Sequence, residues 1–407
     1  MGRQARASTS PNVPIKWSKK FYKYALEKNF FARSGLIGEG EDSMIRVHKD
    51  LTKEKGNTIR MPMTGPLTGI GGGDDFNSED ILEAYSIYHF DIVAHERGHA
   101  TGVSGPYTQQ LMIEDWPKEA TNKIASWKGV TMELEIINAL CGLYNLSDDV
   151  QSVNENAPSS DRIAYGGEAA DGTLGVKSSL GDDTDLGTTA AGVTDDYELS
   201  GEAAASYMMG PTFLEAVVDY YINQEPRPQM LMIEGKPCLI LLMTTGQARN
   251  FVQNAKYIAR NQYAQVRGSK NPLLNDSLGF WNCGEVSVLL KSYGRMPYRI
   301  GAGGTTPQES FELSDDRSTA ATLKQVQTDK TVGRALLMGA QAGGIAYGSV
   351  GKGQMFNRFE GDLDSGTKRK PFMGVDWIYG ISKTVFENES NVAQSDYGLM
   401  CLDTMQV

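Results

Sequence analysis

The chain of 407 residues carries only four histidines and four cysteines. Cys141, Cys238, Cys283 and Cys401 lie far apart and form no CxxC pair, so neither a zinc ribbon nor a disulfide scaffold is implied. Free, mostly buried thiols in a reducing compartment are the plain expectation. So few imidazoles leave little acid–base machinery at neutral pH. No run approaches the length of apolar residues that a membrane-spanning helix needs. The opening MGRQARASTSPNVPIKWSKK lacks the apolar core of a signal peptide, and Arg6 stands where myristoylation needs Ser or Thr. The sequons at Asn145, Asn275 and Asn388 therefore have no secretory context. No phosphate-binding loop is present: around Gly351 and Lys352 the earlier glycine position is Ala346, and Gly353 replaces the Ser or Thr. Gly301 to Gly304 has no βα unit around it, GxSxG is absent, and no fixed-period repeat occurs. Against these absences, 40% hydrophobic and 22% charged residues are enough for a sizeable core, in two to three domains or one elaborated one.

Acidity is confined. Residues 148–202 hold thirteen acids and two bases, Arg162 and Lys177, and the remainder of the chain has 37 of each. This Gly/Ala/Ser/Thr/Asp-rich insertion has few large apolar residues, and is expected to be a loosely ordered surface excursion. Its run Asp182, Asp183, Asp185, Gly187 does not fit the spacing of an EF-hand calcium loop. Residues 1–26 are the opposite: Arg3, Arg6, Lys16, Lys19, Lys20 and Lys23 with no acid. This reads as a solvated arm, with electrostatic contact to nucleic acid as the alternative.

Local pattern suggests a short helix from about Lys19 to Phe31, ended by Gly35 to Gly40. Met44 to Leu51 alternates at period two, Thr52 to Asn57 reads as a turn, and Thr58 to Met63 returns as an edge strand containing Pro62. A return strand is expected over roughly Tyr85–Arg97, giving a long polar hairpin without a core of its own. A helix from Pro117 to Cys141 carries the stripe Ala120, Ile124, Trp127, Val130, Leu134, Ile137 and Cys141, with Gly142 as its stop. Further on the pattern predicts a helix over Pro211–Asn223 and a hairpin of Met230–Ile233 with Cys238–Met243. It then predicts a helix capped by Thr244 or Thr245 running to about Val266 and burying Phe251, Ala255, Ile258 and Tyr263. An irregular stretch covers Pro272 to Gly284, and a strand follows at Glu285–Leu290. Val375, Trp377, Tyr379, Ile381 and Val385 alternate, and with Gly398–Asp403 suggest a terminal antiparallel pair.

One local motif carries chemistry. His95, Glu96, Arg97, Gly98 and His99 match HExxH, which on a helix lets two imidazoles bind zinc with the Glu as general base. Against this, Gly98 weakens a helix, and Tyr85 to Val93 is β-branched and aromatic. On a strand the two histidines share a face but stand roughly 13 Å apart, too far for one metal. The third position of the extended motif is Gly105; Glu114 or Glu119 would have to serve instead.

The order of basic arm, projecting hairpin, long helix, large mixed region and terminal strands resembles the major capsid protein of tailed bacteriophages, in its podovirus-like subfamily. The resemblance is carried by LTKEKGNTI at 51–59, RGHA at 97–100, NPLLNDSLG at 271–279, RALLMGAQA at 334–342 and GVDWIYG at 374–380. It runs from about residue 18 to the end. The acidic stretch 148–206 departs from it, as does the run Asp74 to Asp80 at the hairpin tip. The resemblance implies an α+β chain with the tailed-phage major capsid protein fold. Its parts would be an N-terminal arm and short helix at 1–42, an extended hairpin loop (E-loop) at 43–100, and a peripheral domain of 101–147 and 330–407 with a spine helix. An axial domain would cover 148–329, with the insertion at 148–206. It implies a structural protein, not an enzyme, without catalytic residues, metal or cofactor. Copies would assemble as pentamers and hexamers into an icosahedral shell around phage DNA, in the host bacterial cytoplasm, and end in the virion capsid. Implied partners are further copies, a separate scaffolding protein, a portal protein, packaged double-stranded DNA and a decoration protein, with no membrane. A neutral body suits this, since a strongly basic lining would trap the DNA. Two other readings stay open: a zinc metalloprotease using His95, Glu96 and His99, and an adhesion or binding module using the acidic insertion.

Overall fold

A computed structural model describes residues 29–40, 42–49, 56–64, 87–102, 116–142, 162–180, 184–185, 199, 201–224, 227–233, 235–261, 277–300, 330–349, 356–362, 370–386 and 395–406. Asn29 caps a single turn, α1 (Phe30–Arg33), by accepting from the Ala32 amide at 3.1 Å, and Gly35 at φ 72° stops it. Then come β1 (Ile37–Gly38), β2 (Ile45–His48), β3 (Thr58–Thr64), β4 (Ile87–Val93) and β5 (His95–Gly102). The long helix α2 (Trp116–Cys141) ends at Gly142 with φ 66°. After it lie β6 (Ile163–Gly166), β7 (Ser179–Leu180), β8 (Thr184–Asp185), α3 (Pro211–Asn223), β9 (Leu231–Ile233) and β10 (Lys236–Met243). Two short helices, α4 (Thr245–Gln253) and α5 (Ala255–Asn261), precede β11 (Ser277–Cys283), β12 (Val286–Ser292) and β13 (Tyr298–Ile300). The chain closes with β14 (Thr331–Met338), β15 (Gly343–Tyr347), β16 (Phe356–Asp362), β17 (Pro371–Lys383), β18 (Val385–Phe386), β19 (Ser395–Asp396) and β20 (Leu399–Gln406).

Two large sheets organise these elements. The first has ten strands in the order β11-β12-β10-β14-β20-β6-β7-β8, with β13 beside β14 and β9 beside β10. The second has six, β1-β2-β15-β17-β16, with β5 also on β17. The run Cys238 to Met243 is apolar at every position because both faces of β10 are covered. Leu239, Leu241 and Met243 pack under α3, α4 and α5 with Phe213, Val217, Tyr221 and Phe251. Ile240 and Leu242 face the other way, into a cluster shared with α2 and the six-stranded sheet. Helix α2 thus lies in the main core, and its residues Ile124, Ile136, Ile137, Leu140 and Cys141 are buried there with Val375, Trp377 and Tyr379 of β17. Trp127 is only partly buried; it stands between His99 and Trp377, at 4.2 and 5.5 Å between ring centroids.

Several local readings gave way to long-range pairing. Residues 44–51 do not fold back on 58–63: β2 runs parallel to β1 and β15, and β3 pairs with β4 instead. Alternation is the same signal in either case, and only the partner differs. Likewise β17 and β20 are not a pair but belong to different sheets, joined by β18 and β19. The stretch read as irregular contains β11, with a bulge at Ser277 to Gly279 that breaks its period. Helix 245–266 is two helices interrupted at Asn254, so the next buried apolar position after Phe251 is Tyr257, while Ala255 and Ile258 are exposed; Tyr263 lies outside the described residues. The Thr244 cap forms, and its partner Gln247 also donates to Gly333 O at 2.7 Å and Thr404 Oγ1 at 2.8 Å, tying α4 to β14 and β20.

The acidic insertion is partly core. β6 pairs in parallel with β20, and β7 and β8 extend the ten-stranded sheet. Glu168 is fully buried and caps α3 from a distance. It accepts from the Phe213 amide at 2.6 Å and from Asn254 Nδ2 at 2.7 Å, and burial raises its pKa. Gly210 permits this, since a Cβ there would stand 2.2 Å from the carboxylate. Strands on either side of residue 330 share a sheet: β14 and β20 pair among strands from 148–329, whereas β15, β16 and β17 belong to the six-stranded sheet.

Arg334 fastens these layers. Opposite it on β20 is Asp403, with Nε to Oδ1 at 2.8 Å and Nη2 bonded to Oδ2. Its Nη1 donates to Cys141 O at 2.9 Å, one of the last carbonyls of α2. Those carbonyls have no partner within the helix and carry its negative dipole end, so a cation is favoured there. Both charges are buried. Arg334→Ala is expected to destabilise the chain by about 3–5 kcal/mol, because Asp403 is left as an uncompensated buried charge. The pair Arg334→Met with Asp403→Leu is expected to regain most of that loss in urea unfolding; an equal loss in single and double variants would contradict the charge argument.

Candidate assembly surface

β3 and β4 pair with each other from Thr58 opposite Val93 to Thr64 opposite Ile87, and with no third strand among the described residues. Such a ribbon is marginal in water by itself. Its root is therefore the place to look for what holds it. Ile59, Phe90, Ile92 and Ala94 close a small cluster with Ala346, flanked by Met61 and Ile378. Side chains alternate along a strand. Hence Ala346 and Ile378 lie on the face of the six-stranded sheet opposite Ile345, Trp377 and Tyr379, which face α2. The helix covers one face and the hairpin root sits on the other.

Two glycines make the seat. A Cβ on Gly344 would stand 2.5 Å from Ile92 Cδ1, and one on Gly380 would stand 2.0 Å from Val93 O. At Gly380 the ribbon crosses the sheet backbone to backbone, and Ala94 N donates to Asn57 O at 2.6 Å to close the root. Above it an ion pair on the stem is exposed: Arg60 Nε and Nη2 each lie 2.8 Å from Asp91, and the Arg60 hydrogen bond holds that carboxyl below its usual range. Exposed pairs of this kind contribute about 0–1 kcal/mol. The stem is thus held from below. Gly71 to Gly73, the run Asp74 to Asp80, the basic arm before Asn29 and most of the calcium-like run lie outside the described residues.

The HERGH segment is itself a strand of this sheet. Residues 95–102 are β5, in antiparallel register with β17, with His95 opposite Tyr379 and His99 opposite Val375. The two histidines share a face at roughly 13 Å along the strand, and His99 stacks on Trp127. Glu96 takes the other face, where its charge and burial raise the pKa of Asp376, burial being the larger cause. Glu119 pairs with Lys123 at 3.7 Å, and Glu114 lies outside the described residues. Among the described residues no three His, Cys, Asp or Glu side chains are placed to hold a metal.

Between α2 and β17 the packing is not wholly apolar. Glu135 accepts from the Tyr379 hydroxyl and lies 3.8 Å from Arg97. Lys128 is buried with its Nζ 4.7 Å over the Trp377 ring, and burial pulls its pKa down to about 7. Further along, Glu133 accepts from the Phe30 amide at 2.9 Å, and Asn29 Nδ2 donates to Gly129 O at 3.3 Å. The first described residues, Asn29 and Phe30, are thereby fixed to the helix. Sequence reading missed Gly344, Gly380 and Arg334. A glycine inside a strand is a known mark of close backbone approach, so Gly380 had a signal; Arg334 had none.

The phage capsid protein family matches residues 6–202 and 213–407. No curated protein matches the chain. Among solved structures, the capsid of Ralstonia phage GP4 is similar at a TM-score of 0.67 and 18% identity, over 94% of this chain and 92% of that one. The cyanophage Pam1 capsid asymmetric unit is similar at 0.64 and 16%, over 94% and 93%. The acidic stable capsid structure of Helicobacter pylori bacteriophage KHP30 is similar at 0.58 and 14%, over 91% and 90%. At these identities the solved structures speak for the fold, α+β of the tailed-phage capsid type. Neither a protease nor an adhesion module finds support in the family match.

Two outcomes follow from the geometry. Gly380→Ala is expected to speed amide exchange at 87–93 while leaving that of β20 unchanged, because the new methyl meets Val93 O and not the core; equal protection in both would remove the seat. Lys128→Met is expected to gain on the order of 1–3 kcal/mol at low pH. The folded-state pKa of Lys128 lies below its ordinary 10.5. Its penalty therefore accrues as pH falls from 10.5 to about 7 and is complete below that. The variant's advantage in unfolding free energy should be full below pH 7 and fade toward pH 10.5.

Proposed function

Because this chain belongs to the phage capsid protein family, we propose a specific way in which its copies join. The protein is a structural component of the virion capsid shell. The projecting ribbon of β3 and β4 is the element that reaches a neighbouring copy. The observation that supports this is the ribbon's construction: it is clamped at one end by Gly344 and Gly380, and its two strands pair only with each other among the described residues. A monomer would normally blunt such edges. A contact between a ribbon on one copy and a different patch on the next is heterologous, and heterologous contacts make rings where their rotation closes.

On this reading the rings are pentamers and hexamers of an icosahedral shell. The helix α2 and the six-stranded sheet form the peripheral unit, and the ten-stranded sheet with α3, α4 and α5 forms the axial one. The arm before Asn29 reaches a second neighbour. A separate scaffolding protein, a portal, the packaged double-stranded DNA and a decoration protein complete the set of partners. Replacing residues 65–86 by Asn-Gly, which suits a two-residue turn between β3 and β4, is expected to leave a folded chain that forms no shells under electron microscopy. Normal shells from that variant would remove the ribbon's role, and an unfolded chain would be recognised by loss of cooperative urea unfolding.

A further inference from the structure

Among the described residues β11 is the end strand of the ten-stranded sheet and pairs with β12 alone. A two-residue turn at Gly284 and Glu285 closes that pair, with Cys283 opposite Val286. In such a hairpin the closing pair exchanges hydrogen bonds, and alternate residues then face the partner. Cys283, Trp281 and Gly279 thus aim their backbone groups at β12, while Asn282 and Phe280 aim theirs outward, and at the bulge the Leu278 carbonyl turns away to the Tyr257 hydroxyl. An outward row of this kind is a template for another strand. Here it is occupied at both ends. The Tyr257 hydroxyl donates to Leu278 O at 2.9 Å, and Arg260 Nη1 donates to Asn282 O at 3.4 Å. Both side chains come from one turn of α5, three residues apart, and so project on the same side. Trp281 holds them in place: Tyr257 stacks with it at 6.1 Å and the Arg260 guanidinium lies 4.3 Å over its ring. Between the two plugs Phe280 stays 44% exposed. An apolar residue at the middle of an end strand is what makes pairing with another chain attractive.

We infer that α5 is an edge guard, which keeps a second copy of this chain from adding a strand to β11. Copies of a shell protein meet at high local concentration, and edge-to-edge pairing of the large sheets competes with ordered contacts. By taking two outward carbonyls, Tyr257 and Arg260 leave an incoming strand too few partners for a ladder. The inference is independent of the ribbon's role.

The test uses the full chain with Tyr257→Phe and Arg260→Ala together; the first substitution keeps every ring contact. Cooperative urea unfolding is expected to persist. Dispersed subunits should convert to thioflavin-positive aggregate on the order of tenfold faster than the parent chain, with fewer shells under electron microscopy. Adding Phe280→Lys, a charge at the centre of the edge, should restore dispersion. Should the double variant lose its fold, Tyr257→Phe alone carries the test, with a smaller acceleration reversed by the same lysine. A guardless chain that stays dispersed and forms shells at the parent yield overturns the inference. So does aggregation that Phe280→Lys fails to reverse, since it would then start elsewhere.

Discussion

One guanidinium ties the layers together. Arg334 sits on β14, pairs across the ladder with Asp403 of β20, and reaches out of the sheet to the last turn of α2. The ten-stranded sheet is thereby fixed in position relative to the helix, and the helix in turn presses on β17 of the other sheet. A buried ion pair of this sort is weak evidence for stability, since desolvation offsets most of its attraction. What it supplies is geometry: the fork accepts one orientation of Asp403 and one carbonyl, so helix and sheet meet in one register. A second buried pair, Lys383 with Asp396 at 2.7 Å, repeats this at the crossing from one sheet to the other.

From that frame the division of labour between the two faces of β17 follows. One face is consumed by the core, through Val375, Trp377 and Tyr379 against α2. The other is bare at Gly380, and together with Gly344 on β15 this lets a two-stranded ribbon lie directly on the sheet. Rigidity at the root and unpaired strands beyond it are different requirements, and the chain meets them with different residues. A hydrophobic root of five residues and two bare glycines does the first, and a stem that carries an exposed ion pair between Arg60 and Asp91 does the second. The large sheet shows the opposite treatment of an edge. There α5 lays Tyr257 and Arg260 against β11, so the same molecule opens one set of strand edges and closes another.

How much of this could be read beforehand depended on whether the signal was local. Helix α2 was legible to its end, because a three-four apolar spacing and Gly142 are contained in one stretch of chain. So were α3 with Pro211 in its first turn, the β9 and β10 hairpin, and the Thr244 cap. The strand character of HERGH was legible from the β-branched and aromatic residues before it. The insertion was misjudged for a physical reason: its average composition is that of a surface loop, yet Ile163, Ala164, Leu180 and Leu199 are buried in it, few enough to be lost in a mean over fifty residues.

Sequence by itself determined the elements whose pattern is local, the free and mostly buried thiols, the neutrality outside 148–202 and, through scattered motifs, the kind of chain this is. Tertiary structure alone decided the partners. Period-two alternation says that a strand has a buried side, and it is silent on which strand lies next to it; β2 with β15, β17 with β5 and β20 with β6 are choices made over long separations in the chain. The same holds for Arg334, Glu168 and Gly380. Each matters because a distant carbonyl, helix terminus or strand arrives within reach once the layers pack, and even the glycine inside a strand at 380 does not say which backbone will approach it.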